Sequence, residues 1–405
     1  MSTPKIDKQK KILIVGAAKS GNLGAVAMAS SLLLFLKNQG YSANNIGLST
    51  TRFIFDINSN NPFFRDIKVF PSEGIVRKLI PYAVLKKFFG IRKKSDSFDA
   101  YTWADVIIDI HGINFVSKEP RISSIIIPGS MIIISKLLNK KYIKFTQSIG
   151  PIEGPLDKLL AKFFLSFADL IIPRENESQQ QLELLNLNNF VDFRIDSAYC
   201  LDSKYSNFTF PESSRLKIGV CLSSTSAAKS KDYFSSAKKL IAALLDDHDI
   251  FLFSHYSKPN SFEEKAALVE SNNDDNELIK KMFDSFKNSE YLSLIKAFDS
   301  PEEAKSIIKQ FDILIASRYH ACVAGLSSLV PTIAFFSWSY KYESILASSG
   351  LNSNFSLTDK NIPNHYDIVR DIIKNKEHHK NVLKINNNQA CESSKSAFEL
   401  LRKYI

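Results

Sequence analysis

The chain has 405 residues, enough for two or three domains with their own cores and too long for a single small binding module. Hydrophobic residues make up 44% and charged residues 23%, which excludes wholesale disorder and a polytopic membrane protein. Lysine and arginine number 52 against 42 aspartates and glutamates, a net charge of +10, so anionic partners are expected, whether phosphorylated metabolites, nucleic acid or an acidic membrane leaflet, and charge alone does not choose among them.

Residues 1–10 read as a polar, basic tail leading directly into an apolar strand, with no hydrophobic stretch to serve as a secretory signal. A cytoplasmic location is expected. Short apolar runs then alternate with longer amphipathic ones, the pattern of an α/β protein with parallel sheets. Residues 11–199 form a first Rossmann-like domain, with strands expected at Lys11–Gly16, Asn44–Thr50, Asp105–Ile110, Lys141–Gln147 and Asp169–Arg174. Helices fit Gly24–Asn38, Pro128–Asn139, Pro155–Phe167 and Asn176–Leu187, and FVDFRID (Phe190–Asp196) reads as a closing strand. The polar, proline-bearing stretch 200–214 is the expected linker.

Residues 215–356 begin the alternation again. Strands LKIGVCLSS, DIFLFSHY, Tyr291–Leu294, DILIASR and PTIAFF are interleaved with helices Asp232–Asp246, Asn276–Lys287, Pro301–Gln310, Ala321–Ser328 and Ser339–Ser349. Residues 357–405 make a helical tail whose last helix, near Ser394–Lys403, is expected to pack back on the first domain. Two such domains joined by a short linker would face a cleft. The four cysteines, Cys200, Cys221, Cys322 and Cys391, lie too far apart to suggest a disulfide framework or a CxxC site, and suit a reducing compartment.

Parallel α/β units bind ligands beyond the carboxyl ends of their strands, so the strand-to-helix turns carry the candidate residues. The first turn, GAAKSGNLGAVAMA, offers Gly21 and Gly24 for close backbone approach and Asn22 as donor and acceptor, but matches neither GxGxxG nor GxxxxGK[ST]. FTQSIGP ends a strand at Gln147 and Ser148. IIPRENES sets Arg174 between an apolar strand and a capped helix, where a guanidinium suits a carboxylate or phosphate. DILIASRYHACVAGLSSLVPTIAFF delivers Ser317, Arg318, Tyr319 and His320 to a helix start. There, Arg318 and the helix dipole would hold an anion while His320 moves a proton near neutral pH. His111 and His255 also lie at strand ends, but no metal-ligand spacing accompanies them and no metal is expected.

SGNLG, QSIGP, PRENES, IDSAY and above all SRYHACVAGLSSLVPTIAF followed by WSYKYESIL resemble the polysaccharide pyruvyl transferase family over about residues 11–355. The resemblance implies two Rossmann-like domains of GT-B-like fold facing a cleft. It also implies transfer of a pyruvyl group from phosphoenolpyruvate, a co-substrate rather than a cofactor, to sugar hydroxyls of a surface polysaccharide or its lipid-linked precursor. The family's donor-binding arginines fall on Arg174 and Arg318, with Ser317 and Tyr319 beside them, and its catalytic histidine falls on His320. Gly21, Asn22, Gly24, His111, Asn114, Gln147, Ser148 and Lys341 are then candidates for the acceptor side.

Two departures bear on the acceptor. Ala25 stands where the family has an acidic residue, and DIHGINF brings His111 and Asn114 where small residues are usual. A GT-B-type glycosyltransferase using a nucleotide sugar and a non-catalytic glycan-binding relative are therefore the alternatives. The segment 68–94 interleaves apolar residues with Arg77, Lys78, Lys86, Lys87, Arg92, Lys93 and Lys94. It suits either peripheral contact with an anionic membrane, where a glycan or lipid-linked oligosaccharide acceptor would be met, or an ordinary cationic surface. No recognition motif for nucleic acid accompanies the charge, and no such partner is expected.

Overall fold

The computed structural model describes residues 8–19, 21–52, 56, 64–72, 76–90, 96–117, 122–204, 206, 208–256, 275–286, 289–295 and 298–405. The chain divides into two compact units. One comprises Met1–Lys19, Met28–Ser197 and Ser393–Ile405, and the other Ser20–Ala27 and Ala198–Glu392.

The first unit is built on strands β1 (Ile12–Val15), β2 (Ile46–Thr50), β3 (Lys68–Pro71), β4 (Val106–Asp109), β5 (Ile113–Asn114), β6 (Lys141–Ile149) and β7 (Leu170–Pro173). They pair in the order β3-β2-β1-β4-β6-β5, with β7 also on β6, and every pairing is parallel. Helices cover the sheet, so β1, β4 and β7 are buried at every position, and their Ile/Val/Leu content answers that demand. β6 also buries a charge, Lys144, whose Nζ lies 2.7 Å from Asp109 Oδ2 on the neighbouring strand.

In the second unit, β8 (Leu216–Cys221), β9 (His248–Phe253), β10 (Leu292–Leu294), β11 (Ile313–Ala316), β12 (Thr332–Phe335) and β13 (Ser356–Leu357) form a parallel sheet in the order β10-β9-β8-β11-β12-β13. Counted within the unit, this is the order 3-2-1-4-5-6 of dinucleotide-type folds. Phe210, Phe251, Phe253, Phe298 and Phe311 stack and meet edge-on in its core. Gly219 is required there, because a Cβ would overlap the Phe311 ring.

Several expectations need correction. FVDFRID forms no strand; Phe190 makes a single bridge to Ile171. The glycine turn groups with the second unit, because Leu23 N–H donates to His255 O and Asn22 bridges Tyr256. The terminal helix is much longer than expected, Lys376–Arg402, and its last residues belong to the first unit, where Phe398 packs on Phe35 and Phe145. Cys200 and Cys391 form a disulfide pair with Cα atoms 5.8 Å apart, which their separation of 191 residues conceals in the sequence. Of the basic segment 68–94, part forms β3 and the Val76–Phe89 helix, while Arg92, Lys93 and Lys94 lie outside the described residues.

The Lys144–Asp109 pair yields a test. Lys144→Met leaves a buried carboxylate short of its cation and should cost about 3–5 kcal/mol in urea unfolding. The double variant Lys144→Met/Asp109→Asn should recover part of that loss, and strict additivity would contradict the pairing.

Candidate functional site

In the second unit the strand order reverses between β8 and β11, and the turns leaving these two strands meet. Ser317 N–H donates to Cys221 O at 2.8 Å, tying the strand ends together. Arg318 follows and directs its guanidinium at Asp275, with Nε 2.6 Å from Oδ2 and Nη2 2.6 Å from Oδ1. Asp275 Oδ1 also accepts from Ser224 N–H and Oγ–H, both at 2.8 Å, in the turn after β8. Burial alone would lower the Arg318 pKa, but Asp275 overcomes it and holds the guanidinium charged. The helix Tyr319–Ser327 starts immediately afterwards, with its N-terminal N–H groups beside this cation.

Ser317 is fixed from two sides. Tyr233 Oη–H donates to its Oγ at 2.7 Å and Tyr342 Oη–H donates to its carbonyl at 2.9 Å. His320 packs against Gly24 so closely that a Cβ there would overlap the imidazole. Asn22 Oδ1 accepts from Gly24 N–H at 2.9 Å, and Gly21 has φ +87°, so the turn brings bare backbone to the ring. Tyr319 meets His320 edge-on at 5.1 Å, and Lys341 Nζ lies 5.1 Å from the Tyr319 ring and 5.0 Å from the Trp338 ring. The second unit thus gathers Gly21, Asn22, Gly24, Ser317, Arg318, Tyr319, His320 and Lys341.

The first unit gathers the rest at its own reversal, between β1 and β4. Asp109 ends β4 fully buried, with Oδ1 2.6 Å from His111 Nδ1 and Oδ2 2.7 Å from Lys144 Nζ and 2.8 Å from Tyr142 Oη. Gln147 Nε2 donates to the same carboxylate at 2.6 Å. Burial would raise the Asp109 pKa, but Lys144 and His111 hold it well below the carboxylate range. Gly16, at φ +88°, has no room for a Cβ beside the His111 ring. His111 itself is 39% exposed, so an oriented imidazole faces outward from a buried anion.

Arg174 is enclosed in this unit. Its Nε donates to Ser148 Oγ at 2.8 Å, Nη1 to Asp196 Oδ2 at 2.8 Å and Nη2 to Gly112 O at 2.6 Å. It therefore ties the His111 turn to the end of β6. Asn114 is buried on β5, and its carbonyl accepts from Gly150 N–H at 3.2 Å. Among the described residues no cluster of three or more histidine, cysteine, aspartate or glutamate side chains is arranged to hold a metal ion.

The polysaccharide pyruvyl transferase model matches residues 22–340. The chain belongs to this family. No curated protein matches its sequence. Among solved structures it is similar to the UDP-GlcNAc 2-epimerase of Neisseria meningitidis bound to UDP-GlcNAc, at 10% identity and TM-score 0.54 over 97% of this chain and 100% of that one. Anabaena HepE in complex with UDP and glucose gives 10% identity and TM-score 0.55 over 98% and 99%. A glycosyltransferase from Rickettsia africae gives 12% identity and TM-score 0.54 over 96% and 98%. At these identities the likeness shows the fold alone: α/β, with two Rossmann-like units of the GT-B kind.

In this family member the sequence reading missed the partners of its candidate residues. Asp275 lies in the polar run SNNDDNELIK, where nothing marks one acid as the anchor of an arginine 43 positions later. Lys144 was detectable, because a lysine inside a strand buried on both faces requires a counter-charge. His255 is only 3% exposed, and among the described residues its Nδ1 has no hydrogen-bond partner. Burial first, then the nearby His320 and Arg318, push its pKa down to about 3.

A folded-state pKa below the unfolded value means that the unfolded chain binds a proton the native one refuses. His255 therefore contributes stability that is complete above about pH 6.5 and declines as pH falls toward the folded pKa. Urea unfolding across that range should show a shallower pH dependence for His255→Gln than for the parent; parallel curves would contradict the assignment.

Proposed function

We propose that this transferase transfers a pyruvyl group from phosphoenolpyruvate to two hydroxyls of a sugar, in a surface polysaccharide or its lipid-linked precursor, on the cytoplasmic side of the cell envelope. The observation that carries the reading is the placement of Arg318 and His320 at one helix start in a chain of the polysaccharide pyruvyl transferase family. Phosphoenolpyruvate brings a carboxylate and a phosphate. Arg318, the helix N-terminus and Lys341 supply positive charge for them in the second unit.

In this mechanism His320 protonates the methylene carbon of the enol, making C2 electrophilic. A sugar hydroxyl adds to C2 and gives up its proton. Phosphate then leaves with its bonding electron pair, and a second hydroxyl closes the ketal. The two hydroxyl protons are accounted for, one in the new methyl group and one on departing phosphate. Asp275 positions Arg318 and Gly24 makes room for the His320 ring, so neither needs to touch substrate.

Glycosyl transfer from a nucleotide sugar is the second reading, favoured by the likeness to structures bound to UDP or UDP-GlcNAc. Thermal unfolding separates the two. Phosphoenolpyruvate at about a hundredfold excess over its Kd should stabilise the parent by about 2.7 kcal/mol, and Arg318→Ala should lose that protection. Protection by UDP-sugars with none from phosphoenolpyruvate would transfer the assignment to the second reading. Phosphate release dependent on a glycan acceptor should fall by about 10²–10⁴ in His320→Ala. Gly24→Ala should lower turnover while retaining donor protection.

A further inference from the structure

The Pro155–Leu165 helix of the first unit has two unlike faces. Asp157, Ala161 and Leu165 are buried against the unit. Leu156, Leu159 and Phe163 are 50%, 65% and 51% exposed, and Phe167 in the following turn is 39% exposed. Spacings of three and four residues set all four on one stripe. Phe163 meets Phe164 and Phe167 edge-on at 5.4 and 5.3 Å, so the aromatic rings form a cluster. Single exposed apolar residues need no explanation, but a contiguous stripe on a folded unit does.

Charge identifies what covers it. Lys158 and Lys162 are exposed one turn apart along the same flank, and the only acid of the helix, Asp157, is buried. The Ile127–Leu137 helix packs against both this helix and Val76–Phe89. The latter contains no acidic residue and ends with Phe88 67% exposed beside Lys86 and Lys87. Apolar side chains bordered by lysines recur on both.

We propose that the Pro155–Leu165 helix seats the first unit on an anionic membrane surface. Leu156, Leu159, Phe163 and Phe167 enter the boundary between headgroups and acyl chains, and Lys158 and Lys162 rest on lipid phosphates. A second copy of the chain fits less well, because an antiparallel two-fold contact through this face would oppose lysines to lysines. The surface lies outside the donor-binding residues, so its test is independent of the donor.

The experiment is co-sedimentation of the full chain with vesicles of equal parts phosphatidylglycerol and phosphatidylcholine, and with vesicles of phosphatidylcholine alone. The parent should pellet with the former and remain largely in solution with the latter. Lys158→Glu/Lys162→Glu should lower partitioning at least about fivefold per lysine. Leu159→Ser/Phe163→Ser should lower it about tenfold or more, with melting temperature and phosphoenolpyruvate protection unchanged in both variants. Failure of the parent to bind anionic vesicles, or binding by both variants as tight as the parent's, overturns the proposal. A dimer in sedimentation velocity that Leu159→Ser/Phe163→Ser converts to monomer assigns the face to a second copy and overturns it equally.

Discussion

Strand order is the constraint on which both candidate constellations depend. In each unit the chain lays down its first three strands outward in one direction and then returns to place the fourth against the other side of the first. The connections leaving those two adjacent strands therefore pass to opposite faces of the sheet, and the carboxyl ends of the strands open between them. Gly16 and His111 lie at that opening in the first unit, and Ser224, Ser317 and Arg318 in the second. The geometry requires no special residues; it determines where special residues can act.

Each opening is held in place by charge pairing rather than by hydrocarbon. Asp109 with Lys144, Arg174 with Asp196, and Arg318 with Asp275 are ion pairs buried wholly or nearly so, each satisfied by further hydrogen bonds. Such pairs add little net stability, because desolvation offsets most of their attraction. They do make misplacement costly, since moving one partner strands the other in a low dielectric. The result is rigid positioning of His111 and of the Arg318 turn. Lys305 is positioned through carbonyls instead: its Nζ donates to the carbonyls of Tyr199 and Leu201, and burial lowers its pKa to about 8 against the attraction of Asp202.

The glycines at these openings work by what they lack. Gly24 and Gly16 each present bare backbone to a histidine ring, so an imidazole sits where any side chain would exclude it. The generic glycine turn at the N-terminus of the family pattern thereby acquires a specific role in this chain. Its partner, His320, lies almost 300 residues away in sequence.

Fold class and the candidate positions for chemistry were legible in the residues alone. Continuous apolar strands can be satisfied only by sheets covered on both faces, and the SRYHA turn reveals its cation and imidazole through local spacing alone. Tertiary structure alone decided the pairings. Asp275 and Arg318, His320 and Gly24, and Cys200 and Cys391 come together through sheet topology, and no local periodicity encodes which distant residue fills a given space. It also decided exposure: that Leu156, Leu159, Phe163 and Phe167 of the Pro155–Leu165 helix and its following turn stay in water is not legible in the sequence. Amphipathic periodicity fixes the angle between a helix's faces, but only the neighbours packed around it determine which apolar residues remain in water.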